Sequence, residues 1–113
     1  MSFEELVIKL EWFVEEKARL EDAENAVRQV RVTTSSIQFN VPPNGNLSGV
    51  KTAFDDLRDA ILYEPEVSLT AGCDLLNSMA VAMAKTGRNY LEMESTNTDY
   101  ADEIKFLVER SGL

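Results

Sequence analysis

Any chemistry done by this chain would have to dispense with imidazole, because its 113 residues include no histidine. That absence removes the imidazole partner of Ser-His and Cys-His nucleophiles, the usual general base near neutral pH, and every histidine-containing zinc site. Asp55, Asp56 and Asp59 are close enough in sequence to suggest a cation site. They lack the glycine turn and terminal glutamate of a calcium cage, so a solvated helical surface accounts for them better. Glu92 and Glu94 beside Tyr90 would form an acid–base pair only if burial or a partner drove their proton affinities apart, and adjacent turns at a helix end supply neither. Gly45, Gly49, Lys51 and Thr52 approach a phosphate loop, but only three residues separate the glycines and Val50 intervenes before the lysine. Cys73 is the single cysteine, so it closes no intrachain disulfide, and its neighbours Leu75, Leu76 and Met79 predict a buried thiol. The residues therefore predict no catalytic group, no cofactor and no metal site.

Composition narrows the partners. Twenty acidic residues against 11 basic ones set the net charge at -9, which disfavours phosphate backbones and anionic lipid heads, since both are bound through clustered Lys and Arg. Glu4, Glu5, Glu11, Glu15 and Glu16 occupy the place where a secretory signal peptide would need a basic start and an unbroken apolar stretch. The longest run without a charge, residues 32–50, is rich in Thr, Ser, Asn, Pro and Gly, which excludes it as a membrane span. No nucleic acid and no membrane insertion are expected.

The elements that would carry these residues read as helices. Ser2 followed by Glu5 is a capping box, and Phe3, Leu6, Leu10, Phe13, Leu20, Ala23, Val27 and Val30 continue at three- and four-residue steps. Such a helix of roughly thirty residues would be about 45 Å long. A polar turn is expected over residues 35–48, around Pro42, Pro43, Asn44 and Gly45. A second helix, capped by Asn46 or Ser48, would place Leu47, Val50, Phe54, Leu57 and Ile61 on one stripe until Pro65 breaks it over residues 63–67. The rhythm restarts through Leu69, Cys73, Leu76, Ala80, Met83, Gly87 and Tyr90, with small residues at Gly72, Ala80, Ala82, Ala84 and Gly87 allowing close helix approach. After Ser95 the segment 99–113, with Tyr100, Ile104 and Leu107 on one face, is either a further short helix or a tail that orders on contact.

The expected fold is all-α: an antiparallel helical hairpin over residues 1–98 with a Pro-broken second arm, completed as a four-helix bundle alone or with a partner. Apolar residues on more than one face, such as Trp12 beside Phe13, and Val81 and Leu91 off the Leu76–Met83 seam, call for additional helices to cover them. The seam through Leu69, Leu76, Met83 and Tyr90 is the candidate partner interface.

The run AVAMAKTGRNYLEME, residues 80–94, resembles the end of the second helix in small type VII (ESX) secretion substrates, where an alanine-rich helix runs into a Tyr-x-x-x-Asp/Glu export signal. Tyr90 and Glu94 fit that signal, one helical turn apart on one face. Tyr100 does not, because Ile104 stands where the acid belongs. The Trp-x-Gly turn of one class in the family is missing, since Trp12 is followed by Phe13 and Val14. The chain is thus similar to the secretion-associated class without that turn. The resemblance implies a non-enzymatic protein paired with another helical-hairpin protein as a homo- or heterodimer, read by a secretion ATPase through Tyr90 and Glu94. It also implies secretion without a cleavable signal peptide, from a cytoplasmic pool. The alternative expectation is a cytoplasmic acidic helical bundle that binds and inhibits a basic partner, in the manner of an immunity protein, with Glu11, Glu15 and Glu16 steering the encounter.

Overall fold

A computed structural model describes residues 1–40 and 47–113. Among them the chain is all-α, with four helices and no strand: α1 (Phe3–Ser35), α2 (Ser48–Tyr63), α3 (Leu69–Ser95) and α4 (Ala101–Ser111). α1 starts as its sequence predicts, with the Ser2 hydroxyl accepting a hydrogen bond from the Glu5 N–H at 3.2 Å. It ends with the Ser35 and Ser36 hydroxyls donating to the Val32 and Thr33 carbonyls at 2.7 Å, the Thr33 carbonyl also accepting the Ser36 N–H at 3.2 Å. Of the expected turn over 35–48, residues 41–46 lie outside the described residues, Pro42, Pro43, Gly45 and the expected cap Asn46 among them. Ser48 is not the cap. The residue before α2 is Leu47, which makes no side-chain capping bond.

Pro65 interrupts the chain between α2 and α3 as expected, and the break is built from local hydrogen bonds. Glu64 leaves the helix with φ −56° and ψ 132°, the extended backbone a following proline requires. Its carboxylate turns forward and accepts the N–H of Glu66 at 3.0 Å and that of Val67. Ser68 then caps α3, its hydroxyl accepting the Ala71 N–H at 3.1 Å. α4 closes on Gly112, whose φ of 77° is the left-handed cap that glycine adopts without strain, and the Lys17 ammonium donates to the Gly112 carbonyl at 2.8 Å.

The chain forms two compact units, Met1–Asp22 with Leu76–Leu113, and Ala23–Leu75. In the first, Leu6, Leu10, Phe13, Ala84, Leu91, Ile104, Val108 and Leu113 make the core, with Phe3, Met83, Tyr90 and Tyr100 packed against it. α1 and α3 come very close here: a Cβ on Gly87 would stand 2.7 Å from Phe13 Cγ and 3.0 Å from Leu113 Cδ2. Segment 99–113 is helical and belongs to this unit, so the division expected at residue 98 falls inside it.

α3 packs along one edge of the expected stripe, burying its Cys73, Ala80 and Gly87 but not its larger members. Its buried residues are Cys73, Ala80, Ala84, Gly87, Leu91 and Ser95, whereas Leu69, Leu76, Met83 and Tyr90 are half-buried. Leu91, expected off the seam, is fully buried. The small side chains at 80, 84 and 87 draw α1 onto their side of the helix, and the large residue that follows on that side becomes the centre of the core.

In the second unit the later part of α1 pairs with α2 and with the start of α3. Arg58 donates to the Ile37 carbonyl at 2.9 Å, the Phe39 and Phe54 rings lie 5.7 Å apart, and the Cys73 thiol lies 4.0 Å from the Glu24 carbonyl. The expected α2 stripe is not buried. Leu47, Val50, Leu57 and Ile61 are exposed, as is Val30 at the end of the α1 stripe, and Leu62 is the one buried residue of α2.

The α2 surface carries a charge relay between neighbouring turns. Lys51 donates to Asp55 Oδ2 at 2.8 Å and Arg58 Nη2 stands 3.6 Å from Oδ1. The Lys51 hydrogen bond, helped by the charges of Lys51 and Arg58 and opposed by partial desolvation, holds the Asp55 carboxyl below its ordinary value. A lowered value favours the folded state above the ordinary aspartate range, and the contribution is lost as pH falls through the folded-state value. Carboxyl-carbon NMR should therefore show Asp55 titrating below the ordinary range, and Lys51→Met should raise it; an unmoved titration in that variant would contradict the assigned cause.

Candidate functional site

The residues singled out for chemistry are dispersed and engaged in helix surface pairs. Asp55 is tied to Lys51, Asp59 lies 3.7 Å from Arg58 Nε, and Asp56 is exposed. No group of three or more metal-ligating side chains converges among the described residues. Lys51, the basic member of the loop-like spacing, serves Asp55, while Gly45 lies outside the described residues. Glu92 and Glu94 are both exposed, with no cation paired to either among the described residues. Cys73 is buried, as its neighbours predicted.

Tyr90 and Glu94 occupy adjacent turns near the C-terminal end of α3 in contrasting environments. The Tyr90 ring packs against Phe13, centroids 6.0 Å apart at 50°, and its hydroxyl lies 3.9 Å from the Met1 sulfur. The ring is thus part of the core rim, and only its polar edge is free for recognition. Glu94 projects into solvent, so its carboxylate is the accessible half of the pair. Met93 between them is 76% exposed.

The candidate interface residues divide similarly. Met83 and Tyr90 pack against the chain's own core, and Leu69 and Leu76 are half-covered, so this seam is spent largely inside the molecule. The open apolar surface lies elsewhere. In the second unit Thr34 and Ile37 of α1 and its continuation, with Phe54, Leu57, Arg58 and Ile61 of α2, line a shallow groove of about 110 Å3. In the first unit Phe3, Asp102, Glu103, Phe106 and Leu107 line a groove of about 370 Å3. Comparison finds no match. No protein-family model, no curated protein and no solved structure is similar to this chain. No helix among the described residues is long and apolar enough to cross a membrane.

The α2 groove was missed because periodicity alone cannot tell a stripe buried within the chain from one kept for another. The α4 groove had one signal, Phe106, which falls outside the Tyr100, Ile104 and Leu107 stripe.

Proposed function

We propose that this chain is a non-enzymatic helical interaction protein whose second unit is completed by another helical chain, and that the pair is exported by type VII (ESX) secretion. The observation that carries the reading is the open α2 stripe: Val50, Leu57 and Ile61 recur at helical spacing and are all exposed. Regular apolar spacing on a surface helix is the pattern of a helix-in-groove contact. In this reading α2 and α3 are the returning arm of an antiparallel hairpin broken at Pro65, and the partner hairpin supplies what remains of a four-helix bundle.

Glu94 then offers charge-assisted acceptors to a secretion ATPase, and Tyr90, held against Phe13, presents its hydroxyl from a fixed ring. Export of Glu94→Ala and Tyr90→Phe should fall at least tenfold in a strain carrying the secretion system, while Met93→Ala on the same turn is exported normally. Tyr90→Phe keeps the ring contact, so its loss would isolate the hydroxyl. Unchanged export of Glu94→Ala overturns the signal assignment.

One observation favours the alternative reading: Glu4, Glu11 and Glu15 are exposed with no cation paired to them among the described residues, although Glu16 is held by Arg19 at 2.8 Å. An acidic inhibitor of a basic partner would associate at a salt-dependent rate, lost when Glu11 and Glu15 are neutralised. Export without such a dependence would eliminate it.

A further inference from the structure

We propose that the α4 face centred on Phe106 is an interface for a second copy of this chain, the two α4 helices lying antiparallel across a two-fold axis at Phe106. α4 buries Ile104 and Val108 on one side, yet leaves Phe106 58% exposed on the other. Beside that ring runs the groove of about 370 Å3 between Phe3 and Leu107, with Asp102 and Glu103 at its edge. A large aromatic next to an open apolar groove is half of a knob-and-socket pair; a second copy brings both halves at once.

Charge complementarity supports the second copy in an antiparallel arrangement. Glu103, Lys105, Glu109 and Arg110 surround Phe106, all exposed. At 100° per residue, Glu103 and Arg110 fall on one side of the line through Phe106, and Lys105 and Glu109 on the other. Reversing the helix about Phe106 brings Glu103 level with Arg110 of the second copy on the first side, and Lys105 close to Glu109 of the second copy on the other. The two-fold axis doubles both pairs, giving four opposite-charge contacts around two apolar rings. Asp102, on the Lys105 side, comes level with Glu109 of the second copy, so two like-charge contacts stand beside these four. A parallel two-fold pairing exchanges the two sides, bringing Arg110 level with Glu109 and Glu103 level with Asp102 of the second copy, so only the antiparallel pairing joins Glu103 to Arg110. Arg110 already lies 5.9 Å from the centroid of the Phe106 ring, close enough to swing to a carboxylate across the axis while still covering the aromatic edge.

The contact is confined to an 11-residue helix and its groove, so the dimer is a weak one of small area. Sedimentation equilibrium of the full chain at about 100 μM should show a monomer–dimer equilibrium that weakens as salt is raised. Phe106→Ala, Glu103→Arg and Arg110→Glu should each weaken it at least tenfold. The combined Glu103→Arg/Arg110→Glu exchange should restore it, because each new arginine again meets a glutamate. All three residues are exposed, and unchanged far-UV dichroism and melting would show that the fold is intact. Leu57→Asp, on the second unit, should leave this association in place, which separates it from the partner contact assigned to α2. A wild-type monomer at that concentration, or a dimer indifferent to Phe106→Ala, overturns the proposal, as does failure of the charge exchange to restore what the single reversals lose.

Discussion

Leu91→Ala is expected to lower the stability of the first unit by about 2–5 kcal/mol, whereas Met93→Ala on the same helix should change it by no more than about 0.5 kcal/mol. The two residues stand two positions apart, yet one is fully buried and the other 76% exposed. Leu91 is surrounded by side chains from three helices, since its cluster draws Leu6, Leu10 and Phe13 from α1 and Ile104 and Val108 from α4. Truncation there leaves a hole that no single helix can move to fill. Urea titration monitored by far-UV dichroism measures both variants; equal midpoints would mean that the α3 packing phase described above is wrong.

Substitution at Gly87 tests the same packing from the opposite direction. In an open helix, Gly→Ala is stabilising by roughly 1 kcal/mol, because it restricts the unfolded backbone. Here the added carbon meets Phe13 Cγ at 2.7 Å and Cδ1 at 2.9 Å, ring atoms close to the α1 backbone rather than a flexible tip. Overpacking of that kind costs about 1–3 kcal/mol. Gly87→Ala should therefore be neutral to destabilising, and Gly87→Val clearly destabilising. Phe13→Ala removes the obstructing ring, so Gly87→Val should cost less in that background than in the native one, a coupling that a double-mutant cycle measures directly. Additive effects would place Phe13 away from Gly87.

These substitutions also mark what was legible in the sequence. The first turn of α1 could be read because Ser2 and Glu5 act locally, and Leu6, Leu10 and Phe13 could be read because a long amphipathic helix has one dominant apolar side. The Pro65 break could be read because proline constrains its neighbours whatever surrounds it. The phase of α3 could not. Steps of three and four join Leu69, Cys73, Leu76, Ala80, Met83, Gly87 and Tyr90 into one stripe, and which of its edges is buried depends on how near α1 can come, a tertiary quantity. The small residues do permit close approach, at Ala80, Ala84 and Gly87, but a stripe that ends on Tyr90 leaves out Leu91. α2 shows the converse limit, since its stripe has the correct period, yet only Phe54 is partly covered, against Phe39, while Val50, Leu57 and Ile61 stay exposed. For the candidate site, the Tyr90–Glu94 spacing was visible, whereas the unequal exposure of the two side chains was not, because Phe13 lies far away in the chain.

Cys73 gives the second unit a clock of its own. The chain contains one cysteine, a residue 4% exposed whose thiol lies 4.0 Å from the Glu24 carbonyl. An alkylating reagent can reach it only when α3 parts from α1 at that point, so the labelling rate counts openings at one known place. Because no other thiol competes, the same measurement with a partner bound to α2 would register protection of the second unit without any added probe.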